Sequence, residues 1–281
     1  MATGLGGLVE LVAGGGVLVL SGAGLSTDSG IPDYRGPTGS LRRGSPMTFQ
    51  EFTGSAAARR RYWARSHLGW RTIARARPNA GHDAVARLQH RGLVDAVITQ
   101  NVDGLHQAAG SSDVVELHGG LDRVVCLCCG DVTSRAGLDA RLTVANPGFG
   151  ADVERVNPDG DAEVPDEVLE DFVVVDCLRC GSGPLKPDVV FFGERVPPDR
   201  TERCFTLVDA ARAVVVLGSS LTVMSGYRFV LHASRRGIPV AVVNRGPTRA
   251  DDRADVRVDA PLGDVLPVLA ARLAVPADRT A

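Results

Sequence analysis

The chain has 281 residues, 44% of them hydrophobic and 23% charged, enough to bury one large core and a smaller satellite. Its 31 basic and 33 acidic residues leave a formal net charge of −2, which supplies no basic footprint and excludes nucleic acid as the expected partner. No apolar run of about 18 residues occurs, and Met1 to Ala13 places no basic residue ahead of its apolar positions, so neither a membrane span nor an export or transit peptide is expected and a cytoplasmic location is.

Val17-Leu18-Val19-Leu20 reads as a buried parallel strand running into the glycine turn Ser21-Gly22-Ala23-Gly24. Thr48 to Arg77 is rich in Arg and Ala, with Tyr62, Trp63, Leu68, Trp70 and Ile73 at helical spacing, and predicts a helical insertion. Gly81 to Arg91 predicts a helix, followed by strands at Asp95 to Thr99 and Val114 to Leu117. Arg123 to Gly183 carries most of the cysteines around a polar stretch, Asn146 to Pro165, that predicts a long loop. Helix and strand then alternate: Asp199 to Ala211, Val214 to Leu217, Tyr227 to Arg236, Val240 to Val243, Val256 to Val258 and Gly263 to Leu273. Pro276 to Ala281 is expected to fray.

This alternation predicts an α/β fold, a Rossmann-like doubly wound parallel sheet with a smaller zinc-binding module and a helical insertion. The expected division is residues 1–47, 78–122 and 184–281 for the sheet domain, 48–77 for the insertion and 123–183 for the zinc module.

Four motifs stand at or just past predicted strand ends, where such sheets bind ligands. In the first, Gly22, Ala23 and Gly24 let the backbone approach a pyrophosphate, with N–H groups expected at a following helix start; tight packing alone also asks for glycines there. Ser29-Gly30-Ile31-Pro32-Asp33-Tyr34-Arg35-Gly36 would be an odd way to continue a helix, so the chain loops outward with Asp33 and Arg35, the latter suited to diphosphate oxygens. In the second, Thr99-Gln100-Asn101-Val102-Asp103-Gly104-Leu105-His106, amides and a carboxylate suit a ribose and a carboxamide, while Asn101 or Asp103 also fits a helix cap. In the third, His118 follows a strand and precedes Gly119-Gly120, as a general base titrating near neutral pH would. The fourth pairs Gly218-Ser219-Ser220-Leu221 with Asn244-Arg245-Gly246, small polar groups fit for adenosine.

Six cysteines cluster at 126, 128, 129, 177, 180 and 204 in a chain without an export signal, which favours metal over disulfides. Cys126-x-x-Cys129 and Cys177-x-x-Cys180, each with a glycine after its second cysteine, supply the four thiolates of one closed, structural zinc site. Cys128 and Cys204 read as ordinary thiols. Lys186 is the only lysine, a bias that fits a GC-rich coding genome.

Taken in order, these motifs resemble the sirtuins, from about Leu8 to Leu273. Arg61-Tyr62-Trp63-Ala64-Arg65, Lys186 to Glu194 and Ser225-Gly226-Tyr227-Arg228-Phe229 are most similar to the class II branch that includes the mitochondrial sirtuin 4. The resemblance implies NAD as cofactor, one structural zinc and acyl-lysine proteins as substrates, acted on by a monomer. It implies that Gly22, Ala23, Gly24, Ser26, Asp33, Tyr34 and Arg35 hold phosphates and ribose, that Gln100, Asn101 and Asp103 line the ribose and nicotinamide pocket, and that Gly218, Ser219, Ser220, Asn244, Arg245 and Gly246 receive adenosine. In the implied reaction the acyl oxygen attacks the ribose as nicotinamide leaves, His118 activates a ribose hydroxyl, and water yields lysine and O-acyl-ADP-ribose. The substrate would add as a strand between Val190, Phe192, Gly193 and Glu194 on one side and Ser225 and Gly226 on the other. Tyr62-x-x-Arg65 is similar to the pair with which the desuccinylase branch grips acidic acyl groups, implying acidic or branched acyls; Arg65 also fits a solvated helix position. Asp33 to Gly44 is expected to order when NAD binds. Protein mono-ADP-ribosylation, a zinc-containing dehydrogenase and a non-catalytic NAD sensor share parts of the pattern and stay open.

Overall fold

The computed structural model describes residues 4–35, 46–150, 153, 155–163 and 169–274. Most of the expected loop Asp33 to Gly44 and the terminal Pro276 to Ala281 lie outside these residues. The chain begins with α1 (Leu5–Ala13), which packs Leu8 and Val12 inward, and continues into β1 (Val17–Ser21), buried at every position as a doubly covered strand must be. The expected helical insertion forms α2 (Phe49–Gly54) and α3 (Ala56–Arg75). Thr48 starts α2 with a capping box through Glu51, and the Ser55 hydroxyl accepts from Ala58 N–H to start α3. Asn79 caps α4 (Ala80–His90), after which come β2 (Val94–Thr99), the single turn α5 (Leu105–Ala108) and β3 (Val114–Glu116).

Beyond β3 the chain builds β4 (Gly119–Cys126), β5 (Val132–Ser134), α6 (Arg135–Ala145), the short strands β6 (Arg155–Val156) and β7 (Ala162–Glu163), and β8 (Leu185–Val189). It returns through α7 (Pro198–Ala210), β9 (Ala213–Leu217), α8 (Met224–Arg235), β10 (Val240–Val243), β11 (Val256–Val258) and α9 (Leu262–Arg272). Among the described residues no helix is long and apolar enough to cross a membrane.

Six strands form one parallel sheet in the order β11-β10-β9-β1-β2-β3. The chain moves outward from β1 through β2 to β3, then restarts on the other side of β1 with β9, so the order reverses between β1 and β9. That reversal is the switch point at which such sheets bind ligands, outside their carboxyl ends. Register brings those ends level, with Ser21 opposite both Thr99 and Leu217, and Leu217 opposite Val243.

One apolar core joins α1, α4 and α9 to one face of the sheet; a second, from Leu18 to Ala250, joins α7 and α8 to the other. A third core unites α2 and α3 with the antiparallel sheet β5-β4-β8, and Trp63 Nε1 donates to the Leu185 carbonyl at 2.9 Å across it. Two expectations need correction. The turn directly after β1 is not an α-helix: Ala23–Leu25 and Thr27–Ser29 are two short 3-10 turns. The expected loop from Asn146 to Pro165 contains the β6–β7 hairpin, turned at Asn157-Pro158-Asp159-Gly160-Asp161, where Gly160 has φ +77°.

Candidate active site

A cleft of about 1320 Å³ opens over the carboxyl ends of the sheet at the switch point. The glycine turn after β1 and the turn after β9 meet back to back beneath it. A Cβ on Gly24 would come within 2.9 Å of the Gly218 carbonyl, and one on Gly218, itself at φ +62°, within 2.6 Å of Leu25 N. These glycines are therefore required by backbone packing. The N–H groups of Gly22, Gly24, Leu25 and Ser26 bond to the carbonyls of Leu217, Gly218, Gly22 and Ala23, and the turn they form is 3-10 and not the start of an α-helix. Leu221 closes the second turn at φ +55°, uncommon for a bulky side chain, with its N–H held by Ser219 Oγ at 3.2 Å.

The polar segment after β2 is tied to both turns. Gln100 Nε2 donates to Ser219 Oγ (2.9 Å) and to the Ser21 carbonyl (3.2 Å). Asn101 Nδ2 donates to the Gly22 carbonyl and to Ser26 Oγ, each at 3.1 Å, and Ser26 Oγ donates to Asp103 Oδ2 at 2.7 Å. The other Asp103 oxygen accepts from Leu105 N–H at 3.0 Å. Behind this layer Thr99 Oγ1 accepts from Asn101 N–H (3.1 Å) and from Ser21 Oγ (2.9 Å), so Ser21 Oγ accepts in turn from His106 Nε2–H at 2.9 Å. Apart from His106 Nδ1, which is buried without a partner, these polar side chains hold one another, which fixes their rotamers before any ligand arrives.

His106 is 1% exposed, and burial, then the neighbouring His82, push its imidazole down to about 3. A histidine that resists protonation when folded stabilises the fold fully above its unfolded value of about 6.5, and this contribution drains away as pH falls toward 3. Lowering the pH from 7.5 to 5 is expected to cost about 2 kcal/mol at His106 alone. His118, also lowered, adds in the same direction. The urea midpoint measured at both pH values checks this, and His106→Asn is expected to shrink the difference.

His118 lies between β3 and β4. Its Nδ1 is 2.9 Å from the Gln100 carbonyl and its Nε2 is 2.9 Å from Ser225 Oγ. A carbonyl only accepts, so the proton sits on Nδ1 and the Nε2 lone pair faces Ser225 and the cleft. Burial drives the imidazole down to about 4, the Gln100 hydrogen bond pulls it up, and Arg200 lowers it further. The ring is therefore neutral near pH 7, as a general base must be. The backbone carbonyl of His118 also accepts from Val190 N–H at 2.8 Å, which ties His118 to the following segment. There Glu194 Oε2 accepts from Phe191 N–H (2.8 Å) and pairs with Lys186 Nζ (3.0 Å). The chain's single lysine is thus buried beneath a turn of the cleft wall.

The cleft collects most of the residues singled out from sequence. Gly22, Ala23, Gly24, Ser26, Asp33, Tyr34, Arg35, Gln100, Asn101, Asp103, His118, Gly218, Ser219, Ser220, Asn244, Arg245 and Gly246 line it, with Tyr62, Val190, Phe192, Gly193, Glu194 and Ser225. Gly226 and Arg65 do not. Gly226 serves as a seat for Gln100, whose Oε1 would lie 2.6 Å from any Cβ there. Arg65 lies 4.0 Å from Asp161, which does line the cleft. Sequence reasoning missed Pro158, Asp159 and Asp161, which the hairpin brings to the wall; their signal is the Pro-Asp-Gly turn itself.

The four paired cysteines converge outside the cleft, with all four Sγ atoms within 4.8 Å of one another. Cys126 Sγ lies 3.7 Å from Cys180 Sγ and Cys129 Sγ 3.8 Å from Cys177 Sγ. Tetrahedral zinc with Zn–S bonds of about 2.3 Å sets its sulfurs about 3.8 Å apart, so the set fits zinc. Backbone N–H groups of Cys128 and Cys129 point at Cys126 Sγ, and that of Arg179 at Cys177 Sγ, as expected around thiolates. Gly183 must be glycine, since a Cβ there would meet Cys126 Sγ at 2.3 Å.

Comparison with known proteins agrees with this geometry. The model of the Sir2 family matches residues 22–225. An "NAD-dependent protein deacetylase 1" from Streptomyces coelicolor is 61% identical over 96% of this chain and 90% of its own length; one from Corynebacterium efficiens is 55% identical over 90% and 91%. A solved structure of Sir2 with a p53 peptide and NAD+ superposes with a TM-score of 0.74 at 29% identity, covering 95% of this chain and 97% of that one. A Sir2 variant with a deacetylated p53 peptide and 3'-O-acetyl ADP ribose does so with a TM-score of 0.74 at 29% identity, over 94% and 96%. With the family pattern spanning most of its length and such relatives aligned nearly end to end, this chain belongs to the Sir2 family.

Proposed function

We propose that this chain removes acyl groups from lysine side chains of proteins, consuming NAD and releasing nicotinamide and O-acyl-ADP-ribose. The observation that carries the reading is His118: a neutral imidazole anchored by Nδ1–H on the Gln100 carbonyl, with its Nε2 lone pair turned into a cleft at the switch point. The names of its relatives, protein deacetylases dependent on NAD, support the same reaction. When bound, NAD supplies a ribose carbon that exchanges nicotinamide for the acyl oxygen, so that cleavage of the glycosidic bond drives that of the amide.

The residues of the chain divide the remaining work. The turn after β1, with Asp33, Tyr34 and Arg35, takes the phosphates and one ribose; Gly218, Ser219, Ser220, Asn244, Arg245 and Gly246 take the adenosine. Gln100, Asn101 and Asp103 exclude water from the nicotinamide end and hold it in one orientation, because their own rotamers are locked. His118 accepts a ribose hydroxyl proton on Nε2 once the Ser225 hydroxyl yields its place. The substrate chain lies as a strand between Phe192-Gly193-Glu194 and Ser225, where Phe192 and Met224 remain exposed, at 38% and 45%. The four cysteines hold a structural zinc; with no fifth ligand position, its contribution is to the fold. We further place the chain in the class II branch on the strength of Arg61 to Arg65, Lys186 to Glu194 and Ser225 to Phe229.

Nicotinamide release, followed in a coupled assay with an acetyl-lysine peptide and the same peptide unmodified, tests the reading. Release is expected with the acetylated peptide alone. Equal NAD loss with both peptides would point to glycohydrolysis instead.

A further inference from the structure

Lys186 stands on β8, just ahead of the stretch of cleft wall that runs from Val190 to Glu194. Its side chain is 4% exposed, and its ammonium lies 4.9 Å from the centre of the Phe191 ring and 5.9 Å from that of Phe49. An ammonium has three N–H groups to place and accepts nothing. Three oxygens surround this one: the carbonyls of Pro187 (3.2 Å) and Val189 (2.5 Å), and Glu194 Oε2 (3.0 Å). Two of them belong to the chain that enters the wall and one to its far end, so the ammonium fastens the two ends of the wall to each other.

The same carboxylate closes the wall from within. Glu194 Oε2 also accepts from Phe191 N–H at 2.8 Å, Glu194 N–H donates to the Phe191 carbonyl at 3.0 Å, and Gly193 turns the chain at φ +79°. Neighbouring elements hold the wall from outside. Val190 N–H rests on the His118 carbonyl (2.8 Å), and from α2 Phe49 N–H donates to the Phe192 carbonyl (2.9 Å) and Gln50 Nε2 to the Gly193 carbonyl (3.3 Å). Removing the ammonium takes away the Glu194 counter-ion and leaves two carbonyls of β8 to find other donors. A buried ion pair is weak evidence for stability, since an apolar residue of similar size fills the space as well. What an apolar residue would not do is hold the Val189 carbonyl and the Glu194 carboxylate on one point.

Resting on the deacylase reading above and on its placing of the substrate chain along Phe192-Gly193-Glu194, we propose that Lys186 is a positioning residue, whose ammonium holds that wall in the shape that receives the substrate backbone. It acts through Val189 and Glu194 and touches neither substrate nor cofactor. The effect of losing it is therefore divided. A misplaced wall weakens binding of the peptide, whereas Gln100, Asn101 and Asp103, held by Ser219, Gly22 and Ser26, keep their places at the other end of the cleft.

Lys186→Met, which keeps the length of the side chain and drops its charge, is expected to raise KM for an acetyl-lysine peptide roughly tenfold, with NAD affinity measured by calorimetry within about twofold of wild type. Lys186→Arg, which keeps a cation for Glu194, is expected to recover most of the loss. Because Lys186 is the only lysine, an amine-selective acylating reagent reads the same wall in the wild-type protein, and this comparison decides alone if Lys186→Met does not fold. Labelling of the buried ammonium requires the wall to open. Its rate, followed by mass spectrometry, is expected to fall several-fold when the acetyl-lysine peptide saturates the cleft and to fall less with saturating NAD. Equal protection by peptide and NAD, a peptide KM unchanged in Lys186→Met, an NAD affinity that falls as far as that for peptide, or no recovery with arginine would overturn the proposal and leave the deacylase reading standing. No turnover of the peptide by the wild-type protein would instead remove that reading, and the proposal with it.

Discussion

His118→Ala is expected to lower kcat/KM for lysine deacylation by roughly 100- to 10,000-fold, the usual weight of a positioned general base. The loss falls on chemistry, because His118 meets the cofactor-lining segment only through the backbone carbonyl of Gln100, not through its side chain. NAD binding, measured by calorimetry, should therefore weaken far less than the rate. The wild-type pH profile carries a further mark. An ordinary histidine would be about nine-tenths protonated at pH 5.5 and lose about tenfold in rate. With His118 held down to about 4 by burial, kcat/KM is expected to stay nearly level from pH 7 to 5.5. A tenfold fall across that interval would mean that another group is the base, or that the imidazole is far more solvated than its surroundings indicate.

Cys177→Ser is expected to cost the protein its metal and the structure of the lobe that holds it. Cys126 and Cys177 are buried, at 1% and 3% exposure, and lie within the same apolar core as Trp63, Phe172 and Leu185. Structural zinc contributes roughly 10 kcal/mol to small domains that depend on it, comparable with the whole stability of an ordinary domain. The consequence reaches the cleft through β4 and β8, which run from the cysteines to His118 and Val190. Metal analysis is expected to give one zinc per wild-type chain and substoichiometric metal in the variant, with peptide turnover lost in parallel. Cobalt substituted for zinc should preserve turnover, since a closed set of four thiolates leaves no position for substrate. A variant that stayed folded and active without metal would contradict the structural role.

Legibility differed from element to element for physical reasons. The run Val17 to Leu20 is apolar at every position because both faces of β1 are covered, and such a run reads directly as a central strand. The helices α7, α8 and α9 were legible as the segments that alternate with such apolar runs. β4 and β8 did not: Gly119-Gly120 opens one and Pro187 interrupts the other, and only their pairing makes them strands. α1 opens with Leu5-Gly6-Gly7, a poor helix signal, and stands on the burial of Leu8 and Val12.

The same division runs through the site. Gln100, Asn101, Asp103 and His118 were legible because polar groups at strand ends have few other reasons to be there. The placing of Arg65, 4.0 Å from Asp161, was not, because the hairpin delivers that residue to α3 from far along the sequence. Asn157-Pro158-Asp159-Gly160 is a plain turn signal, yet nothing local states which wall the turn will close. The partners of the supporting layer, Ser21 with Thr99 and His106, depend on register between β1 and β2 and become visible only once the sheet is assembled.

The most direct test is mass spectrometry of the products formed from NAD and an acyl-lysine peptide, with His118→Ala alongside. Deacylated peptide, nicotinamide and O-acyl-ADP-ribose in equal amounts, all suppressed in the variant, is the predicted result. Deacylated peptide accompanied by free carboxylic acid with NAD unconsumed, or NAD consumed with the acyl group still on lysine, would contradict it.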